Sequence, residues 1–148
     1  GPFVSEWDDE EGEKLRKVGA EYGAATGRPR RVGPLDLVAI KYGALLQGTT
    51  ELALTKLDVL SYMEEIPVCV GYSYQGQVNT HFPNTPYLYQ AEPIYISFPG
   101  WKCDISKITS YDKLPSEAKQ YIEYIENYLE VPIKYISVGP ERNEIIIR

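Results

Sequence analysis

Histidine and cysteine are nearly missing from this chain: one of the first and two of the second in 148 residues. With His81 alone, a histidine dyad is excluded and a histidine-based metal centre has no second ligand. Cys69 and Cys103 stand far apart, in no metal or redox spacing. The expectation is two reduced thiols in a cytosolic compartment, each packed as a small buried hydrophobe. No apolar run reaches the ~18 residues of a membrane span, and no charged-then-apolar leader opens the chain. Positive charge is also short, with 15 Lys and Arg against 21 Asp and Glu, a net charge of −6. That balance argues against non-specific nucleic-acid binding and against attraction to anionic membranes. Repeats and low-complexity segments are absent. So is a Gly-x-x-x-x-Gly-Lys-Ser/Thr phosphate loop, since Gly23 to Gly27 is too short and carries no lysine.

What remains is the composition of one ordinary soluble domain, 43% hydrophobic and 24% charged, with enough mass to bury a core. The acidic run Asp8-Asp9-Glu10-Glu11 leads into a helix expected over residues 11–21, with Leu15, Val18 and Tyr22 on its apolar face. Negative charge at a helix N-terminus is favoured by the macrodipole, so the run needs no binding role. A Gly- and Arg-rich loop follows. Pro34 then suits the first turn of a helix ending near residue 47, with an apolar stripe of Leu35, Val38, Ala39, Tyr42, Leu45 and Leu46 and a stop at Gly48. Strands are expected over residues 52–55, 66–74, 93–101, 131–138 and 144–148, with a Gln75-Gly76 turn returning into residues 77–80. Three prolines and Asn84 mark residues 82–93 as irregular. The clearest helix covers residues 116–129, where Ala118, Tyr121, Ile122, Ile125, Tyr128 and Leu129 share one face. Helices alternate with strands, so the fold class is α/β, a mainly parallel, helix-covered sheet with some antiparallel hairpin structure.

Three loops carry candidate chemistry. In Leu54-Thr55-Lys56-Leu57-Asp58 a strand ends and a Lys-x-Asp follows, where α/β folds bind ligands. A carboxylate there accepts two hydrogen bonds from guanine, from N1–H and the exocyclic amine, which adenine cannot supply; the Lys56 stem can pack over the ring. A strand running into a solvated turn is the plainer alternative. In Ala24-Ala25-Thr26-Gly27-Arg28-Pro29-Arg30 the glycines at 23, 27 and 33 allow close backbone approach, and Arg28 and Arg30 offer planar forks for carboxylate or phosphate. A basic turn balancing the acidic run is equally consistent with those residues. Ser137-Val138-Gly139 again follows a strand, with a hydroxyl and N–H groups able to reach the base O6, although Ser-x-Gly is also common turn chemistry.

Six segments in order make the chain resemble the C-terminal part of the adenylosuccinate synthetases: Gly1-Pro2-Phe3; Tyr22-Gly23-Ala24-Ala25-Thr26-Gly27-Arg28-Pro29-Arg30-Arg31; Leu35-Asp36-Leu37-Val38-Ala39; Leu54-Thr55-Lys56-Leu57-Asp58-Val59-Leu60; Phe98-Pro99-Gly100-Trp101; and Val131-Pro132-Ile133 with Ser137-Val138-Gly139-Pro140-Glu141-Arg142. The resemblance implies a ligase of AMP biosynthesis that joins IMP and L-aspartate at the expense of GTP, with Mg²⁺ required. GTP phosphorylates the IMP 6-oxygen, and the aspartate amine then displaces phosphate. It implies that Ala24, Ala25, Thr26, Gly27, Arg28, Pro29 and Arg30 form the aspartate loop, with Arg28 reaching IMP and Arg30 the GTP phosphates. Lys56, Leu57 and Asp58, with Ser137, Val138 and Gly139, resemble the guanine-reading segments. Ala25 stands where the family usually has threonine, which removes one side-chain hydrogen bond, worth ~1 kcal/mol if direct. The family's phosphate loop, catalytic Asp and His and Mg²⁺ ligands match nothing in this chain, and His81 corresponds to no catalytic position. The expectation is therefore that residues 1–148 are a C-terminal fragment, inactive alone, from a cytoplasmic enzyme that is a homodimer at full length. A guanine-nucleotide-binding module or partner protein without chemistry is the alternative.

Overall fold

The structure is a computed structural model describing residues 1–148. It is a mixed α/β fold with parallel and antiparallel strand pairs. The chain divides into two compact units, residues 1–39 with 67–96 and residues 40–66 with 97–148. No helix is long and apolar enough to cross a membrane.

In the first unit, α1 (Glu10–Val18) starts where the Asp9 carboxylate accepts from the Gly12 N–H at 2.9 Å, the N-cap bond that an acidic run can supply. The helix is shorter than its apolar spacing predicts and Val18 is exposed. Pro34 does not open a helix. It precedes a two-residue strand, β1 (Leu35–Asp36), and α2 (Leu37–Gln47) begins after it. The reason is Asp36: its Oδ1 accepts from the Ala39 N–H at 3.0 Å, capping the first turn of the helix that starts at Leu37. Its Oδ2 accepts from the Tyr72 hydroxyl at 2.5 Å.

Tyr72 lies on β3 (Glu65–Tyr74), which pairs in parallel with β1, antiparallel with β4 (Gln77–Asn79) through the Gln75-Gly76 turn, and with β5 (Glu92–Pro99). Residues 82–93 are not wholly irregular. Thr85–Leu88 forms a one-turn helix, α3, with Pro86 in its first turn, where its missing N–H costs nothing. Val38, Cys69, Tyr72 and Leu88 form a buried cluster with Val4, Phe82 and Ala91 against it. Cys69 is buried as expected, whereas Cys103, in the second unit, is exposed.

The second unit is built on a three-stranded sheet, β2 (Leu52–Leu54), β6 (Ile133–Ser137) and β7 (Ile145–Ile147), with β6 central. β2 runs parallel to β6 and β7 antiparallel to it. Helix α4 (Ser116–Leu129) has the predicted bounds and buries Ala118, Tyr121, Ile122, Ile125 and Leu129. Phe98 and Trp101 pack on Tyr121, with ring centroids 5.9 and 6.0 Å apart. Of the expected apolar stripe of α2 only Val38 is buried; Leu35 and Ala39 are half-buried, and Tyr42, Leu45 and Leu46 are exposed, the last two at 73% and 70%, while Leu37 and Ala44, outside that stripe, are buried.

Candidate functional site

The strands of the second unit bring two of the three predicted segments to one end of one sheet. Leu54 is the register partner of Ile136 in the parallel pair β2–β6. Lys56 and Ser137 therefore leave neighbouring strands at the same, carboxyl, end, the position where parallel sheets present ligand-binding loops. Lys56 turns the chain sharply, with left-handed φ and ψ of 59° and 35°, and a 3₁₀ helix over Leu57–Tyr62 follows at once. A non-glycine residue in that conformation is uncommon and marks a chain held by its surroundings. Leu57 provides the hold. It is 1% exposed, so it anchors the turn in the core while Lys56 stays exposed and Asp58 half-buried. Leu57 is thus an anchor between two polar side chains.

The β6 turn is equally defined. The Ser137 hydroxyl lies 3.1 Å from the Gly139 carbonyl oxygen and donates to it, and the Val138 N–H donates to the Glu144 carbonyl at 2.9 Å. Pro140 has no N–H. The Gly139 N–H is left as the main-chain donor of residues 138–140, while the Ser137 oxygen keeps acceptor capacity. Gly139 is buried, and a Cβ there would lie 2.1 Å from Glu144 Oε2. Glu144 went unseen in the sequence because it sits after the turn, outside any spacing pattern.

Residues 24–30 belong to the first unit and form the tip of a narrow hairpin. Tyr22 and Pro29 make an antiparallel bridge. The Gly23 N–H donates to Arg28 O and the Gly27 N–H to Gly23 O, both at 2.8 Å. Gly27 has φ of +65°, the left-handed turn that favours glycine. Ala24, Ala25, Thr26, Gly27, Arg28, Pro29 and Arg30 are all exposed. The Thr26 hydroxyl accepts from the Arg28 N–H at 3.4 Å, a local bond that shapes the tip. Gly33 has a different role from the ligand approach expected of it: a Cβ there would meet Ser5 O at 2.1 Å, so it makes room for the chain's own backbone.

The three arginines of this region differ in their partners. Arg31 pairs with Glu6 at 2.5 Å and donates to Gly1 O. Its hydrogen bond holds the Glu6 carboxyl below the ordinary carboxylate range. Arg30 pairs with Glu21 at 2.9 Å, and Arg16 donates to its carbonyl at 2.9 Å. Arg28 is exposed and makes no ion pair. Glu21, the counter-ion of Arg30, was another residue that sequence reasoning passed over; its place one residue before the matched Tyr-Gly was the available signal.

Nowhere do three or more His, Cys, Asp or Glu side chains gather as a metal cage.

A family model described as adenylosuccinate synthetase matches residues 1–146. The chain is 52% identical over 149 residues to an adenylosuccinate synthetase of Dictyostelium discoideum, covering all of this chain and 35% of that protein. It is 50% identical to one of Salinibacter ruber, covering 99% of this chain and 34% of that protein. A solved structure of a fully ligated adenylosuccinate synthetase from Plasmodium falciparum is similar with a TM-score of 0.94 at 42% identity, over all of this chain and 36% of the other. The chain spans about a third of the length of these relatives. It belongs to the adenylosuccinate synthetase family.

Proposed function

We propose that these residues supply the guanine-reading and aspartate-holding parts of a GTP-dependent ligase that joins IMP and L-aspartate into adenylosuccinate. The observation that carries the reading is the shared carboxyl end of β2 and β6, from which Lys56-Leu57-Asp58 and Ser137-Val138-Gly139 both emerge. In this reading Asp58 accepts from guanine N1–H and the exocyclic amine. The Gly139 N–H donates to O6, with Ser137 as an accepting neighbour. The Lys56 stem covers the ring face. An adenine nucleotide would leave the Asp58 carboxylate unmatched, which is the strong form of discrimination.

The hairpin tip, Ala24 to Arg30, receives aspartate in the same reading. Arg28, with no protein counter-ion, takes a carboxylate in a fork and reaches IMP. Arg30, held on Glu21, keeps donors for GTP phosphate. Mg²⁺, when bound, neutralises phosphate charge; its ligands come from residues other than these 148. The wider reading is a cytoplasmic, homodimeric enzyme of AMP biosynthesis, with residues 1–148 inactive by themselves.

A chimera tests the reading. In the Dictyostelium relative, the 149 matching residues are replaced by this chain. Adenylosuccinate formation that requires IMP, aspartate and GTP, and that ATP does not support, is expected. A folded chimera that ligates nothing, or that uses ATP as well as GTP, contradicts it. Adenylosuccinate formation by the purified 148-residue chain alone contradicts the proposed division of labour.

A further inference from the structure

The carboxylate of Glu144 occupies the space in which residue 139 would carry a side chain. A Cβ on Gly139 would lie 2.1 Å from Glu144 Oε2, 2.6 Å from its Cδ and 3.2 Å from its Cβ. The Glu144 side chain is 12% exposed, its Oε2 accepts from the Glu141 N–H at 2.9 Å, and Lys107 lies 3.6 Å from Oε1. The main chain closes the same loop, because Glu144 O accepts from the Val138 N–H at 2.9 Å and the Glu144 N–H donates to Glu141 O at 3.0 Å. One residue thus engages both flanks of Gly139, at Val138 and at Glu141, and lies against Gly139 itself.

We propose that Glu144 is the positioning residue of the Ser137-Val138-Gly139 turn: its carboxylate, seated against Gly139 and tied to the Glu141 N–H, fixes the direction of the Gly139 N–H toward the guanine carbonyl. This rests on the base-recognition reading above and extends it to a residue that touches no ligand. It also assigns the reason for glycine at 139. The constraint comes from Glu144 on the protein side, whereas a glycine needed for ligand approach would be constrained from the opposite side. Hydrogen bonds to a fixed dipole discriminate only while their direction is held, so a turn free to rotate loses guanine preference before it loses stability.

The two explanations of Gly139 separate in a mutant cycle on the chimera. Gly139→Ala should raise the KM for GTP about tenfold by displacing the carboxylate, and Glu144→Ala should do the same by removing it, with aspartate KM and kcat changed less than about twofold. In the double variant the carboxylate contacts at 2.1 and 2.6 Å are gone and only the 3.2 Å contact between the two Cβ atoms remains, so the KM should lie close to that of Glu144→Ala alone, about tenfold, in place of the ~100-fold product of independent effects. Glu144→Gln keeps an acceptor for the Glu141 N–H and should stay within about threefold of the parent. Multiplying effects overturn the proposal, and so does a Glu144→Ala variant with unchanged GTP KM. An equal loss across GTP, aspartate and kcat in all variants also overturns it, since that marks a structural role only. Asp58→Asn in the same chimera keeps the two levels apart. If it leaves GTP kinetics unchanged, base recognition at this sheet end fails; if it raises the KM while the cycle multiplies, only the role of Glu144 fails.

Discussion

Arg30 Nη1 lies 2.9 Å from Glu21 Oε2, while Arg28, two residues earlier on the same hairpin, has no ion-pair partner. Equal spacing in a Gly-Arg-Pro-Arg sequence suggests two equal forks; the structure makes one preorganised and one open. In the chimera, Arg28→Ala should raise the KM for aspartate at least about tenfold, the loss of a charge-assisted pair. Arg30→Ala should affect aspartate several-fold less and act more on GTP. Glu21→Gln should leave thermal stability nearly unchanged, because an exposed pair contributes little to folding. Steady-state kinetics with each substrate varied in turn separates these outcomes.

Asp36 joins three elements, accepting from Ala39 at the start of α2 and from Tyr72 on β3. Tyr72→Phe removes one hydrogen bond to a charged, half-buried group and should lower stability by about 1.5–3 kcal/mol. Asp36→Ala removes that bond together with the helix cap and should cost about 1 kcal/mol more. Urea denaturation with unchanged slope and shifted midpoint is the expected result.

The two thiols should react differently. Burial pushes the Cys69 thiol up to about 11, whereas Cys103 is exposed. A thiol-reactive dye should modify one cysteine in the native chain and two after unfolding. Two native thiols reacting at equal rates would contradict the packing of β3.

Raised thiol and phenol pKa values set the alkaline limit. Cys69 is raised from 9.0 to about 11, and burial raises Tyr95 and Tyr111 from 10.0 to about 12, Glu123 adding to the shift at Tyr111. Tyr121 is also raised, by burial alone. In each case the folded state binds the proton more tightly, so the unfolded chain holds fewer protons once pH exceeds its own pKa. Stability is then full below pH 9 and falls as pH rises from 9 toward 12. A thermal midpoint constant from pH 7 to 8.5 and declining steadily above 9 is expected.

Much of this was legible in the residues. Helix α4 has one unbroken 3.6-residue stripe and its predicted bounds are its observed ones. The strand-then-Lys-x-Asp pattern placed Asp58 just beyond β2, as found. Other features depend on partners distant in sequence, which no local pattern contains. Pro34 looked like a helix start because nothing local reveals that Asp36 pairs with β3 and caps α2. Leu45 and Leu46 looked like core because spacing gives a helix face without what lies against it. Gly33 looked like room for a ligand, yet it accommodates the Ser5 backbone. The short helix α3 was hidden by Pro86, whose fixed φ suits a first turn as well as a loop.

The most direct measurement is the KM for GTP of Asp58→Asn in the chimera, with IMP, aspartate and ITP varied alongside. Asn presents an amide where guanine needs a second acceptor, so the GTP KM should rise at least about tenfold while those for IMP and aspartate move less than about twofold. The preference for GTP over ITP, which lacks the exocyclic amine, should collapse. An unchanged GTP KM and an intact GTP preference would show that this sheet end does not read the base.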